Sequence, residues 1–259
     1  MADKQQNSFP TETLSLPSKG KLYPEDSPLS SGTIEVKYMT AKEEDILTSV
    51  NLIEKGTVID KVLESVIADP KVKIDDLLIG DKNALMLGTR VLGYGKDYTV
   101  TFDDPDTSIE VEHTFDLTQL KNKKVDEKLF ESGKNEFEFT LPTSKRTITF
   151  KLLTHKDERQ IDSTIQALEK LTKITGVSNE LTTRLKQQII SIDGETDRKV
   201  VDDFVDNQFL AMDSKAFRNY YEEVAPDVIF EADYESQIGE PHKVDIPIGV
   251  RFFWPDARV

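Results

Sequence analysis

Apolar positions along this chain follow three successive rhythms, and the rhythms divide it. Thr33 to Met39 alternates β-branched or apolar residues with polar ones, the pattern of a half-buried strand. The spacing then turns helical. Thr40 followed by Glu43 forms a capping-box signature, with acids suited to a first helical turn. Ile46, Leu47, Val50 and Ile53 fall on one helical face, and Gly56 stops that helix. A second helix over 58–68 presents Ile59, Val62, Leu63 and Val66 and ends before Asp69-Pro70. After a short apolar stretch, Ile74 to Leu78, Asp81 is expected to cap a third helix running through Leu92. Leu85, Met86, Val91 and Leu92 face inward there, and Gly93-x-Gly95 ends it.

Past Gly95 the period becomes two. Tyr98–Phe102, 109–115, 136–141 and 147–152 alternate, and Pro142 to Arg146 reads as the turn of a hairpin. Helical spacing returns after Leu153. Ile161, Ile165, Leu168 and Leu171 line a helix over about 156–174, closed by Gly176. Ser178 is expected to cap a helix over 179–191, and two shorter helices follow over 199–210 and 214–224. Val244, Ile246, Ile248, Val250 and Phe252 alternate again, which predicts a terminal strand pairing with the middle sheet. The fold class expected is α+β: an N-terminal strand and helical unit, a middle antiparallel β-sheet, and a C-terminal helical unit with a terminal strand. The segments are 1–32 as an extended arm, 33–95, 96–153 and 154–259.

Both ends look suited to docking. The arm has turns at Pro17 to Gly20 and Ser30 to Gly32, and it is too turn-rich to bury Leu14, Leu16, Leu22 and Tyr23 by itself. Those four are expected to pack on a partner. At the other end, strand alternation sends Phe252 to the protein's own core and leaves Phe253, with Trp254, for a neighbour. Aromatic residues are enriched at interface cores.

Charge narrows the partners. The 259 residues carry a net charge of -15, which argues against a surface built for nucleic-acid phosphates; plain solubility is the simpler reading of it, and it can also steer the chain toward a basic partner surface. Without cysteine there is no disulfide, thiolate metal site or thiol nucleophile. No apolar window approaches a membrane span, and MADKQQNSFPTE lacks the apolar core of a signal peptide. A chain made in the cytoplasm, with no membrane partner, is expected.

Candidate chemistry is thin. His113, His155 and His242 have no metal-ligand spacing, and Gly93-Tyr94-Gly95-Lys96 lacks the order of a phosphate loop. Asp103-Asp104-Pro105-Asp106 is the one acidic cluster that draws notice. Its surroundings do not supply the ligand order of a calcium loop, so a hairpin tip is the simpler reading. A carboxylate-bound metal there would instead imply a metal-dependent hydrolase. No catalytic residue, metal or cofactor is expected.

Residues 14–47, LSLPSKGKLYPEDSPLSSGTIEVKYMTAKEEDIL, resemble the T4-type bacteriophage baseplate protein family, the small hub and hub-assembly components of contractile tails. LPSKGKLY, the run from Gly32 to Leu47, and the apolar helix after Lys55-Gly56 carry the likeness, which extends over 14–95. It implies a non-enzymatic role in tail assembly or the virion, with other tail proteins as partners in a hetero-oligomer. Made in the host cytoplasm, the protein would then act as a permanent subunit or as an assembly chaperone. The resemblance implies a hairpin that in relatives often carries paired cysteines with metal-site spacing; this chain departs from that pattern, with aspartates and no cysteine there, so no zinc site is expected.

Overall fold

The structure is a computed structural model that describes residues 10–253, less the side chains of 169–172 and 174–175. Trp254 lies outside the described residues, as does the Leu171 side chain. The first strand, β1 (Thr11–Ser15), pairs antiparallel with β2 (Thr33–Lys37), Leu14 opposite Ile34. The arm is therefore folded back, not extended. Gly20 and Gly32 make this possible, both at positive φ (75° and 74°). A Cβ on Gly20 would come within 2.3 Å of the Ser30 carbonyl oxygen, and one on Gly32 within 2.6 Å of the Lys19 carbonyl oxygen. Two turns thus pack back to back, and only glycine admits that approach.

The helical unit follows. Helix α1 (Ala41–Leu47) has the capping box expected at Thr40 and Glu43. The predicted first helix is broken after Thr48, and α2 (Val50–Glu54) leaves Val50 exposed. Helix α3 (Val58–Val66) buries Val58, Val62, Leu63 and Val66, and α4 (Ile79–Tyr94) buries Leu85 and Met86.

The middle of the chain forms two separate sheets where one was expected. Strands β3 (Asp97–Asp103) and β4 (Glu110–Asp116) make a hairpin of their own. After a short β5 (Lys121–Asn122), β6 (Phe137–Thr140) and β7 (Thr147–Phe150) make a second. Helices α5 (His155–Thr175) and α6 (Glu180–Gln188) come next. The residues expected to finish α6 instead form β8 (Ile189–Ile192), which joins β7 in antiparallel register with Ile148 opposite Ile192. Segments 96–153 and 154–259 therefore share a sheet. The β-branched pair Ile189-Ile190 favours that outcome.

Helix α7 (Arg198–Asp203) ends in a π turn over Phe204–Gln208, and α8 (Ala211–Val224) lies against the sheet. Phe217 of α8 meets Phe150 at 5.0 Å between ring centroids. Strand β9 (Val228–Ile229) pairs with β5, and β10 (Glu231–Glu235) pairs with β11 (Pro241–Asp245). The predicted terminal strand stops at Asp245, short of the proline and glycine at 247 and 249. Then α9 (Val250–Phe253) makes one helical turn. The whole is α+β, with one continuous apolar core running from Leu16 to Phe253. Among the described residues no helix is long and apolar enough to cross a membrane.

Candidate functional site

The LPSKGKLY segment is an internal latch. Ser18 donates its backbone N–H to Asp81 Oδ1 at 2.9 Å and its hydroxyl to Oδ2 at 2.6 Å. The Tyr23 hydroxyl donates to the same Oδ2 at 2.6 Å and accepts the Leu78 N–H at 2.9 Å. Asp81 is fully buried. Burial pushes its carboxyl above the ordinary range, against the pull of the Ser18 and Tyr23 donors. The expected role of Asp81 as a helix cap is thus corrected, because its oxygens point across to the N-terminal loop. Leu78 is the N-cap, with no side-chain bond of its own.

Leu16, Leu22 and Tyr23 are 2%, 2% and 6% exposed. Leu14 is partly buried, its methyls so close to α4 that a Cβ on Gly88 would come within 2.2 Å of them. These four residues were expected to face a partner, and the chain's own core takes them instead. The reason is the pair of glycine turns, which let a turn-rich segment fold onto α4.

The C-terminal aromatics meet the same correction. Phe252 and Phe253 are both fully buried, with rings 5.4 Å apart and perpendicular. In a strand neighbours point to opposite faces, whereas in a helical turn adjacent residues can both reach a core. Arg90 of α4 anchors this turn. It is buried, donates to the carbonyls of Gly95 (2.7 Å) and Asp97 (3.0 Å), and lies within 6.0 Å of the Tyr94, Tyr98 and Phe252 ring centres. Burial lowers the Arg90 pKa.

The acidic cluster at 103–106 is a joint between two hairpins. Buried Asp104 accepts at Oδ1 from the N–H groups of Asp106 and Thr107 and from the Thr107 hydroxyl. Its Oδ2 accepts the Tyr234 hydroxyl at 2.8 Å and the Gln237 N–H at 2.9 Å, both from the β10–β11 hairpin. Burial would raise this carboxyl, but the Gln237, Thr107 and Tyr234 donors override it and hold it well below the usual range. Asp106 adds a 2.8 Å contact to His242 Nε2. Tyr234 packs its ring against Phe102 at 5.0 Å and His113 at 5.2 Å, so the inner faces of the two hairpins meet. Both Asp104 oxygens are thus occupied by protein donors. Among the described residues no group of three or more acids or histidines has metal-binding geometry.

One further ionisable cluster lies on a groove of about 470 Å³ between α3, α4 and α5. Lys82 Nζ stands 2.6 Å from Asp60 Oδ1 and 3.0 Å from His155 Nδ1. His155 Nε2 approaches Asp60 Oδ2 to 3.0 Å, at ion-pair distance but without hydrogen-bond alignment. Burial would raise the Asp60 carboxyl, yet His155 and Lys82 outweigh it and hold it at about 2. Asp60 pairs with Lys82, and the contacts among the three groups tie α3 to α4 and to the start of α5. Asp213 of α8 is a third buried latch, accepting the Thr143 and Ser144 N–H groups at 2.7 and 3.0 Å and holding the β6–β7 turn. What remains at the surface is a set of exposed apolar side chains, among them Ile109 at one hairpin tip and Ile238 at the other. Sequence reasoning gave Asp81 the wrong role and missed Asp213, since each acts through residues distant in the chain; it also passed over Arg90 and both isoleucines.

The model of the family described as T4 bacteriophage base plate protein matches residues 10–254. The chain belongs to this family. The whole described structure lies inside the match, including the LPSKGKLY latch and both hairpins. No curated protein and no solved structure matches the chain.

Proposed function

We propose that this protein is a non-enzymatic component or assembly factor of the hub region of a contractile-tail baseplate and acts by binding other tail proteins. The family match over 10–254 carries the reading. The site geometry supports it. Asp81, Asp104 and Asp213 each latch a loop, and Asp60 pairs with Lys82 beside His155. The protein is made in the host cytoplasm and joins a hetero-oligomer there, which becomes or prepares the tail of the virion.

Mass spectrometry of purified tails, beside affinity capture from infected cells, tests this directly. A permanent subunit appears in both samples, and an assembly chaperone only in the capture, with tail proteins bound to it. Absence from both would refute the reading.

A further inference from the structure

The two clamped hairpins hold most of the protein's charge. Residues 97–116 and 231–245 contain twelve acidic residues and one lysine, a net charge of -11 out of -15. Apart from buried Asp104, strand alternation and the turns send that charge outward. Tyr98, Val100 and Phe115 are buried, while Asp97, Thr99, Thr101, Asp103, Glu110 and Glu112 are exposed. The register opposes like charges directly: Asp97 to Asp116, Asp103 to Glu110, and Glu231 to Asp245. Such pairs destabilise a hairpin. Lys96 relieves the first from 2.8 Å, and Lys243 stands 4.0 Å from Glu231. Asp103 and Glu110 have no cation within ion-pair distance among the described residues. Beside them the joined tips expose Ile109 (55%) and Ile238 (66%), on a mount that Asp104 holds together.

We propose that the outer face of β3–β4, together with the joined tips, docks on a neighbouring tail protein that offers a Lys/Arg-rich face with an apolar socket for Ile109 and Ile238. The inference rests on the baseplate reading and adds the surface and the chemistry of its partner. Charge complementarity selects the occupant. Nucleic acid and anionic lipid surfaces carry the wrong sign. A cationic protein face turns the Asp103–Glu110 repulsion of the free subunit into attraction on docking. Because these carboxylates are exposed, salt screens them over about 8 Å, so docking is salt-sensitive.

The test uses D103N/E110Q, which keeps the side-chain shapes and removes both charges. It is produced as full chain in cells infected by phage unable to make its own copy. Its amount in tails and tail intermediates is measured by mass spectrometry against wild type, and its melting temperature is measured in isolation. The expected result is an unchanged or raised melting temperature with incorporation reduced roughly tenfold, as for loss of steering charges. I109S/I238S, altered only at exposed positions, is expected to lose incorporation while melting like wild type. Equal incorporation of D103N/E110Q and wild type would overturn the inference and leave the baseplate reading standing, and so would a fall in incorporation that merely follows a lowered melting temperature. Absence of wild type from tails and intermediates alike would overturn both.

Discussion

Replacing Tyr23 with phenylalanine removes one oxygen and leaves the ring in place. That oxygen donates to Asp81 at 2.6 Å and accepts the Leu78 N–H at 2.9 Å. Its loss takes one donor from a fully buried carboxylate and orphans a backbone N–H at the start of α4. A hydrogen bond to a charged group contributes about 1.5 to 3 kcal/mol, and a buried unsatisfied group costs about 1 to 3 kcal/mol. The two overlap, so a loss of about 2 to 4 kcal/mol is expected. At roughly 3 °C per kcal/mol for a chain of this size, the melting temperature falls by about 6 to 12 °C. Urea unfolding of the full chain measures the same quantity. Tyr38→Phe serves as the control, because the Tyr38 hydroxyl bonds Glu12 at the surface and its loss should stay within about 0.5 kcal/mol. D81N should couple to Tyr23→Phe, so the double variant loses less than the two single variants together. Equal, small shifts for Tyr23→Phe and Tyr38→Phe would refute the latch.

Phe252→Ala and Phe253→Ala should destabilise the free protein alike, each by about 3 to 5 kcal/mol in urea unfolding, because both rings are fully buried; a strong loss in one alone would restore the two-faced strand. Asp60 has a folded pKa of about 2, below its unfolded value of about 3.9, so its stabilisation is present above that value and is lost as pH falls toward 2. Urea midpoints taken between pH 5 and pH 2.5 should therefore fall less steeply in D60N than in wild type, and parallel slopes would contradict the cluster. Gly80→Ala places a Cβ 1.9 Å from the Pro226 carbonyl oxygen, a backbone atom with no easy retreat, and should lower the melting temperature far more than Gly249→Ala, whose Cβ meets nothing within 4 Å and whose φ is not positive.

Local chemistry was readable from the sequence wherever cause and effect lie within one turn or one strand. Thr40 and Glu43 gave the start of α1, and the alternation of 98–102 and 109–115 gave β3 and β4. Failures came where a distant residue decides. Asp81 looks like a helix cap until Ser18, 63 positions away, takes its oxygens. The tail alternates through Phe252 in sequence, but alternate positions do not distinguish a strand from strand, loop and helical turn in succession. Two adjacent buried aromatics were the available signal, since a strand cannot send both to one core. Of the candidate surface, the run of acids without lysine was visible in the chain; that a buried Asp104 joins it to a second acidic hairpin 130 residues away was not.

Acids in this protein go to two destinations, and the contrast bears on what the outward ones do. Asp81, Asp104 and Asp213 are buried and receive N–H or O–H donors at both oxygens, so their cost is desolvation and their return is a loop held in place. The exposed acids of the hairpins form no such bonds at Asp103 and Glu110, so there the cost is repulsion across a strand pair. If solubility alone set the charge, it would be spread over the surface, and spreading would relieve that repulsion. Instead the remaining 224 residues carry a net charge of only -4 out of -15, nearly neutral for their size. Negative charge held together against its own repulsion, on two hairpins clamped at their tips, is charge with a place to go, and a cationic neighbour in the tail is the partner that relieves it.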